Sequence, residues 1–301
     1  MARKRKSNKK LIYAIATLVV VIVAAIAALA SSQPETETPD IPEDTGSFQV
    51  HYIDVGQGDC SLVVCDGQTL LIDAGENGHE TEVINYLRSL GIEKLDYIIA
   101  THPHSDHIGG LPEVIEEFGM DNIIMPRLTK EQTPTTKTYT KMLEAIKGSG
   151  AKVISAKPGS NYALGTAAVD ILGPVSNNAE DLNSMSVVAK VTYGENSFLF
   201  TGDAETDEEK EIIEYGANLD ADVLKMGHHG SNTSSHKDFL AEVTPEICVI
   251  MCGENNDYGH PHKEPLQRLK KYTDEVYRTD ICGSIVISSD GENLDIEYEN
   301  Q

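Results

Sequence analysis

In the stretch Ile98-Ile-Ala-Thr-His102-Pro-His104-Ser-Asp106-His107-Ile-Gly-Gly110, four side chains able to ligate a metal fall within six residues. The apolar run before them reads as a strand. In the extended chain that follows, His102 and His104, two apart, project to one side. Asp106 and His107 can turn toward a second point before the Gly109-Gly110 break lets a helix begin. Two divalent cations are therefore expected. Imidazole nitrogens with a carboxylate oxygen suit zinc, and manganese is the second candidate. The competing reading is an ordinary solvated polar loop.

This stretch resembles the signature of the metallo-β-lactamase superfamily, which implies an αββα sandwich with a dinuclear site at the sheet edges. The resemblance implies roles for residues elsewhere in the chain. In Leu199-Phe-Thr-Gly202-Asp203 the aspartate stands where the family bridges both metals, and a bridging carboxylate offsets cation repulsion. The motif Val223-Leu-Lys225-Met-Gly-His228-His229-Gly230-Ser231 supplies a ligand to the second metal. Either histidine fits; His229 is the preferred ligand, with His228 as a substrate contact or proton donor. Asp73, in Leu70-Leu-Ile-Asp73-Ala-Gly75, matches an aspartate that orients the ligand loop. The plain alternatives are a strand-end turn for Asp203 and a turn or helix cap for Asp73.

Between His107 and Asp203 there is no histidine, although many superfamily members take a third ligand for the first metal from that region. Leu182-Asn183-Ser184-Met-Ser186 stands there, so Asn183, Ser184 or a water is expected to fill the gap. With Tyr52-Ile-Asp54-Val-Gly56-Gln57-Gly58-Asp59 and Tyr258-Gly259-His260-Pro261-His262, the set resembles the extracytoplasmic hydrolase domain of ComEC-type DNA-internalisation competence proteins and their free-standing relatives. The resemblance runs from about Phe48 to the C-terminus and lacks their polytopic channel part. Asp54, Gln57 and Asp59 are expected to shape a loop beside the metals, and Gly56 and Gly58 equally suit a simple tight turn. His260 is expected to contact a substrate phosphate or to cap the turn before a helix.

A pair of cations lowers the pKa of bound water to about 7 and offsets charge on the attacking and leaving oxygens of an ester. Asp106 or Asp203 would hold that water, and His228 or His260 would protonate the leaving group. The resemblance implies phosphodiester hydrolysis, DNA strand cleavage among the options. Small phosphodiesters, phosphocholine esters of surface polymers and, less favoured, β-lactams are alternative substrates. From a different class, a metal-binding interaction domain without turnover is the competing reading, and the missing middle histidine is its support.

The elements that must carry these residues alternate. Strand patterns fall at Phe48–Val55, Ser61–Cys65, Thr69–Asp73, Tyr97–Thr101, Val187–Tyr193, Ser197–Thr201, Val223–Lys225, Ile247–Met251 and Ser284–Ser288. Helical patterns fall near Glu80–Leu90, Leu111–Phe118, Thr138–Lys147, Thr206–Tyr215, Lys237–Ala241 and Pro265–Tyr272. Hairpins followed by mixed strands and helices imply an α/β (α+β) chain whose sheets are covered by helices, each half of the domain contributing one sheet.

Ahead of the domain, residues 1–30 join six basic residues to an uncharged apolar run from Leu11 to Ala30. Such a segment is a signal peptide or signal anchor: about 20 residues suffice to span a bilayer, and Ala28-Leu29-Ala30 is an acceptable cleavage site. Basic residues stay cytoplasmic, so everything after Ala30 is expected outside the cytoplasm, secreted or anchored to the outer membrane face. Residues 31–46, rich in Pro, Glu and Thr, read as a disordered linker, and 47–301 as the hydrolase domain. Beyond the segment, 18 basic residues face 48 acidic ones, a formal charge of −30. That balance disfavours tight, extended nucleic-acid binding, which requires a basic footprint. The five cysteines lack metal-binding spacing and read as structural, with Cys60 and Cys65 the one pair placed to cross a hairpin.

Overall fold

The computed structural model describes residues 48–177 and 181–300. The expected signal segment (1–30) and linker (31–46) lie outside those residues; among the described ones no helix is long and apolar enough to cross a membrane.

Six strands come first, β1 (Phe48–Tyr52), β2 (Ser61–Cys65), β3 (Gln68–Ile72), β4 (Leu95–Ile99), β5 (Met120–Met125) and β6 (Lys152–Ser155). Seven follow, β7 (Asn161–Leu164), β8 (Ala167–Gly173), β9 (Val188–Tyr193), β10 (Asn196–Phe200), β11 (Val223–Lys225), β12 (Ile247–Ile250) and β13 (Glu275–Arg278). The last two, β14 (Ile285–Ser289) and β15 (Leu294–Tyr298), return to the first group. One sheet has the order β15-β14-β1-β2-β3-β4-β5-β6, the other β13-β12-β11-β10-β9-β8-β7.

Both sheets change character part-way across. The β1-β2-β3 and β7-β8-β9-β10 runs are antiparallel. From β3 to β6 and from β10 to β13 the pairing is parallel, which demands crossover connections. Helices make those crossovers: α1 (Glu80–Ser89), then the short α2 (Ser105–Ile108) with α3 (Leu111–Phe118), and α4 (Lys137–Ser149) on the first sheet. The second sheet uses α5 (Thr206–Tyr215), α6 (Lys237–Val243) and α7 (Lys263–Leu269), and α8 (Thr279–Cys282) leads back to β14. Local signals set their ends: the Thr136 hydroxyl accepts from Tyr139 N–H to open α4, and left-handed Gly150 closes it.

Strand alternation sorts the apolar side chains into three layers. Leu70, Ile72, Phe198 and Phe200 point between the sheets, where Phe48 stacks on Tyr193 with ring centroids 5.0 Å apart. Leu71 and Ile98 face Val83, Leu87, Leu111 and Ile146 of the covering helices. Leu199 and Leu224 do the same against Ile212, Phe239 and Leu240. Burial on both faces is why the central strands read as unbroken apolar runs. The result is the expected αββα sandwich, but not one sheet per half, because β14 and β15 from the C-terminal end complete the first sheet.

Six strands, β5, β6, β7, β8, β13 and β15, had no strand pattern in the sequence. Four of them lie at sheet edges, where one side needs no apolar partner and the composition is mixed. Cys60 and Cys65 are free. Cys65 packs between the sheets and Cys60 under the first layer of helices, on opposite faces, which leaves no hairpin disulfide to form.

Candidate metal centre

The loops that leave the carboxyl ends of β3, β4, β10, β11 and β12 meet at one rim of the sandwich, the position at which open α/β sheets build ligand sites. They enclose a cleft of about 640 Å³ lined by His104, Asp106, Asp203, His228, His229 and His260 among others.

Asp73, left-handed (φ 59°) just after β3, is buried under the ligand loop. One carboxylate oxygen accepts from Thr101 N–H at 2.8 Å; the other accepts from Thr101 Oγ1 at 2.6 Å and lies 2.8 Å from His107 Nδ1. With Nδ1 engaged below, His107 turns Nε2 toward Asp203 Oδ1, 3.2 Å away. His229 is braced the same way. Its Nδ1 meets the Met251 carbonyl at 2.9 Å, and its Nε2 lies 3.3 Å from Asp106 Oδ2 and 3.6 Å from Asp203 Oδ2. Donor atoms of Asp106, His107, Asp203 and His229 all fall within 4.8 Å of one another.

Of the two adjacent histidines, His229 therefore faces the cluster. His228 and His229 both sit in the left-handed region, at φ 49° and 52°, a backbone cost of about 1–3 kcal/mol each that persists only under tertiary constraint. The bend keeps His228 at the solvent side, Nε2 3.6 Å from Asp203 Oδ2, with Nδ1 near Thr233 Oγ1 (3.2 Å) and Glu205 Oε1 (3.3 Å).

At the other end, His102 Nε2 and His104 Nδ1 face each other at 3.0 Å, and His102 Nε2 is 3.9 Å from Asp203 Oδ2. Two nitrogens bound tetrahedrally at about 2.0–2.1 Å would stand roughly 3.3 Å apart, so this pair suits one shared cation. The expected third contributors divide. Asn183 lines the cleft with a buried Oδ1 that lacks a hydrogen-bond partner. Ser184 is buried in the short 3-10 turn over Asn183–Met185, and Ser186, two residues on, also reaches the site, its Oγ 3.3 Å from His102 Nδ1 and accepting from Asp203 N–H at 3.0 Å.

Burial and charge set the protonation. Burial, helped by His107, holds His102 well below the usual imidazole range. Burial also opposes charge on His229, but Asp203, Asp106 and Asp59 outweigh it and push the ring up to about 9. The neighbouring His107 and His229 overcome burial at Asp203 and hold that carboxyl well below the usual range.

His107 Nε2, His229 Nε2 and Asp203 Oδ1 are buried without a well-formed hydrogen bond and meet only one another or Asp106, at 3.2–3.6 Å. Orphaned buried groups of this kind are rare in folded proteins. Two imidazole nitrogens and a carboxylate oxygen converging in this way are the donor set of a divalent transition-metal site, a cation taking the place of the ring protons, and the residues present fit one.

The family model of the Metallo-beta-lactamase superfamily matches residues 53–254. The chain belongs to the metallo-beta-lactamase superfamily. Among curated members it is 31% identical to ComE operon protein 3 of Bacillus subtilis over 79% of this chain and 32% of that protein. It is 30% identical to Recombination protein 2 of Haemophilus influenzae over 83% and 30%, and 31% identical to Competence protein ComA of Neisseria gonorrhoeae over 87% and 34%. The chain thus spans about a third of the length of these relatives. In fold it is similar to the metallo-beta-lactamase fold protein YhfI of Bacillus subtilis, with TM-score 0.51 and 15% identity over 77% of this chain and 95% of that one. It is a superfamily hydrolase with a candidate cluster for divalent metal, related to competence proteins.

Two supports of this metallo-beta-lactamase site carried no assigned role in the sequence. Lys225, inside β11, is buried and pairs with Asp59, while its Nζ donates to the Gly202 carbonyl at 3.0 Å. Asp59 also lies 3.3 Å from His229 Nδ1. A lysine within the buried run Val223–Lys225 was the available signal, because buried lysines are almost always paired. Glu205 is the other, beside His228. Asp54 stands outside the cluster: its Oδ1 accepts from Gly56 N–H at 3.0 Å and closes the turn. In that turn a Cβ on Gly58 would meet the Asp106 carbonyl oxygen at 2.3 Å, so only glycine lets the Asp59 loop close on the ligand loop.

Proposed function

We propose that this chain is an exported, dinuclear metal-dependent phosphodiesterase, with zinc the preferred metal and manganese the alternative. The convergence of Asp106, His107, Asp203 and His229 on orphaned buried atoms, at the floor of an open cleft, carries this reading. Asp106, His107, Asp203 and His229 would hold one cation, and His102 and His104, with Asp203, the other. When bound, the cations ionise water near neutral pH and offset negative charge on the phosphoryl oxygens.

The protein supplies orientation and protons. Asp106 and Asp203 present carboxylate oxygens toward the floor of the cleft, where they orient the attacking water. Asp73 and the Met251 carbonyl fix which nitrogen His107 and His229 present. His228, propped at Nδ1 by Glu205 and Thr233, presents Nε2 on the open side, suited to protonating a leaving oxygen. His260, stacked under Tyr258, faces the same space. Among the described residues no Lys or Arg lines the cleft, and the acidic balance selects against extended polyanions, so short phosphodiesters or strand ends suit it better than duplex DNA. The N-terminal basic and apolar run supports delivery outside the cytoplasm.

The test is hydrolysis of bis(p-nitrophenyl) phosphate by the full-length chain in mild detergent, with Zn²⁺ or Mn²⁺. Turnover that Asp203→Ala abolishes is the expected result. Equal rates in both proteins would instead mark a metal-binding interaction domain.

A further inference from the structure

At the rim of the cleft Tyr258 is the most exposed large apolar side chain among the described residues, 65% accessible. A lone exposed aromatic is unremarkable on a mobile surface loop. This one is fastened in place. The Asn256 side chain donates to the Gly253 carbonyl (2.9 Å) and the His260 carbonyl (2.7 Å) and accepts from His260 N–H (2.9 Å), clasping the loop that carries Tyr258. The His260 ring lies beneath the tyrosine ring, centroids 5.6 Å apart and planes within 20°. His260 in turn abuts His228 at 5.5 Å and His229 at 6.1 Å. Two ring steps thus separate the tyrosine from a proposed metal ligand.

The walls between are short of partners and neutral. Gln57 Nε2, Asn183 Oδ1 and His260 Nδ1 are buried without a hydrogen-bond partner, and all three residues line the cleft. Gln57 is held with its other amide atom on Gly253, in the same loop as Tyr258. Among the described residues no Lys or Arg lines the cleft, so away from the cation pair a substrate gains little there from its charge. Stacking of a base on an aromatic ring is the other general source of affinity for single-stranded nucleic acid, and it is sequence-tolerant.

We infer that Tyr258, backed by His260, is a stacking platform for the nucleobase next to the scissile phosphate, so that the cleft takes nucleoside phosphodiesters. The inference rests on the phosphodiesterase reading of the same cleft. A quaternary ammonium substrate fits less well, because such groups are held in cages of several rings and here the second ring lies under the first rather than beside it.

Calorimetry on the zinc-loaded full-length chain tests this without turnover, with thymidine 5′-monophosphate, methyl phosphate and phosphocholine as probes. The nucleotide is expected to bind roughly tenfold tighter than methyl phosphate. Tyr258→Ala is expected to erase that preference and Tyr258→Phe to keep it, with zinc content unchanged in both. Equal binding of nucleotide and methyl phosphate, a preference that survives Tyr258→Ala, or phosphocholine binding as tight as the nucleotide overturns it. Hydrolysis of bis(p-nitrophenyl) phosphate with no nucleotide preference removes the platform alone; nucleotide preference without hydrolysis removes the phosphodiesterase reading.

Discussion

At the Asp106 end of the cleft four donors from three loops converge, and each histidine is braced from behind, by Asp73 or by the Met251 carbonyl with Asp59. At the His102 end two rings face each other, share only Asp203 with the first group, and only His102 is steadied from behind, by the hydroxyls of Thr101 and Ser186. The difference lies beneath the ligands. One end stands on buried carboxylates, themselves held by Lys225 and backbone N–H groups, which raise the basicity of the imidazoles above them. The other stands on neutral hydroxyls. The Asp106 end is therefore expected to hold its cation more tightly, and the His102 end to exchange it.

Removing the shared residue should break both ends. Asp203→Ala is expected to lose both cations by metal analysis after dialysis, and to lower phosphodiester hydrolysis on the order of 10³-fold. Retention of either cation at full occupancy would mean that the two ends do not depend on the bridge.

Single-end variants should separate the pair. His104→Ala is expected to lose the weaker cation and keep the tighter one, whereas His229→Ala leaves both weakly held. A chelator titration followed by zinc stoichiometry distinguishes these outcomes; identical profiles would erase the contrast.

Lys225 sharpens the comparison from below. Lys225→Met takes the ammonium partner from the buried Asp59 carboxylate and leaves it only His107 and His229, expected to cost about 3–5 kcal/mol in denaturant unfolding. It is also expected to weaken zinc at the Asp106 end about 10–100-fold while sparing the His102 end. Asp59→Asn in the same background should recover part of the stability, because it removes the stranded charge. Equal weakening at both ends would make Lys225 a general structural residue.

The smallest effect sets the pH window for these measurements. His51, on β1, is buried against Tyr86, its Nδ1 3.0 Å from the phenol oxygen, and burial lowers its pKa from 6.5 to about 4. The unfolded chain takes up a proton below 6.5 that the folded chain refuses until about 4. Folding stability is thus intact above 6.5 and falls with pH down to 4, by at most about 3 kcal/mol. His51→Phe is expected to flatten that limb in urea melts at pH 7 and pH 5. An unchanged slope would show that acid acts on the metal cleft instead.

Much of this site was readable before the fold. The His102–His107 cluster declares itself because a strand's period of two and a short turn place its side chains locally, with no long-range contact needed. Asp203 and the His228-His229 pair were readable as motifs after apolar strands. What could not be read was direction. His228 and His229 are identical residues with similar backbone angles, and the Met251 carbonyl, 22 residues on, and Asp59, from the first sheet, brace His229 inward. That the Ser186 hydroxyl meets His102 was likewise unread, because the two residues lie far apart in the chain. The edge strands went unread because one-sided pairing imposes little apolar pattern.

From residue order alone came the helix-covered sheets, the ligand types, the acidic balance and the superfamily, all of which follow from local periodicity and short motifs. Tertiary structure alone decided which buried nitrogens and oxygens are left without partners, and that Lys225 stands beneath the cleft. It also decided that Tyr258 is pinned open at the rim. Those outcomes depend on loops from two sheets meeting at one edge, and chain separations of a hundred residues or more carry no local signal of that meeting.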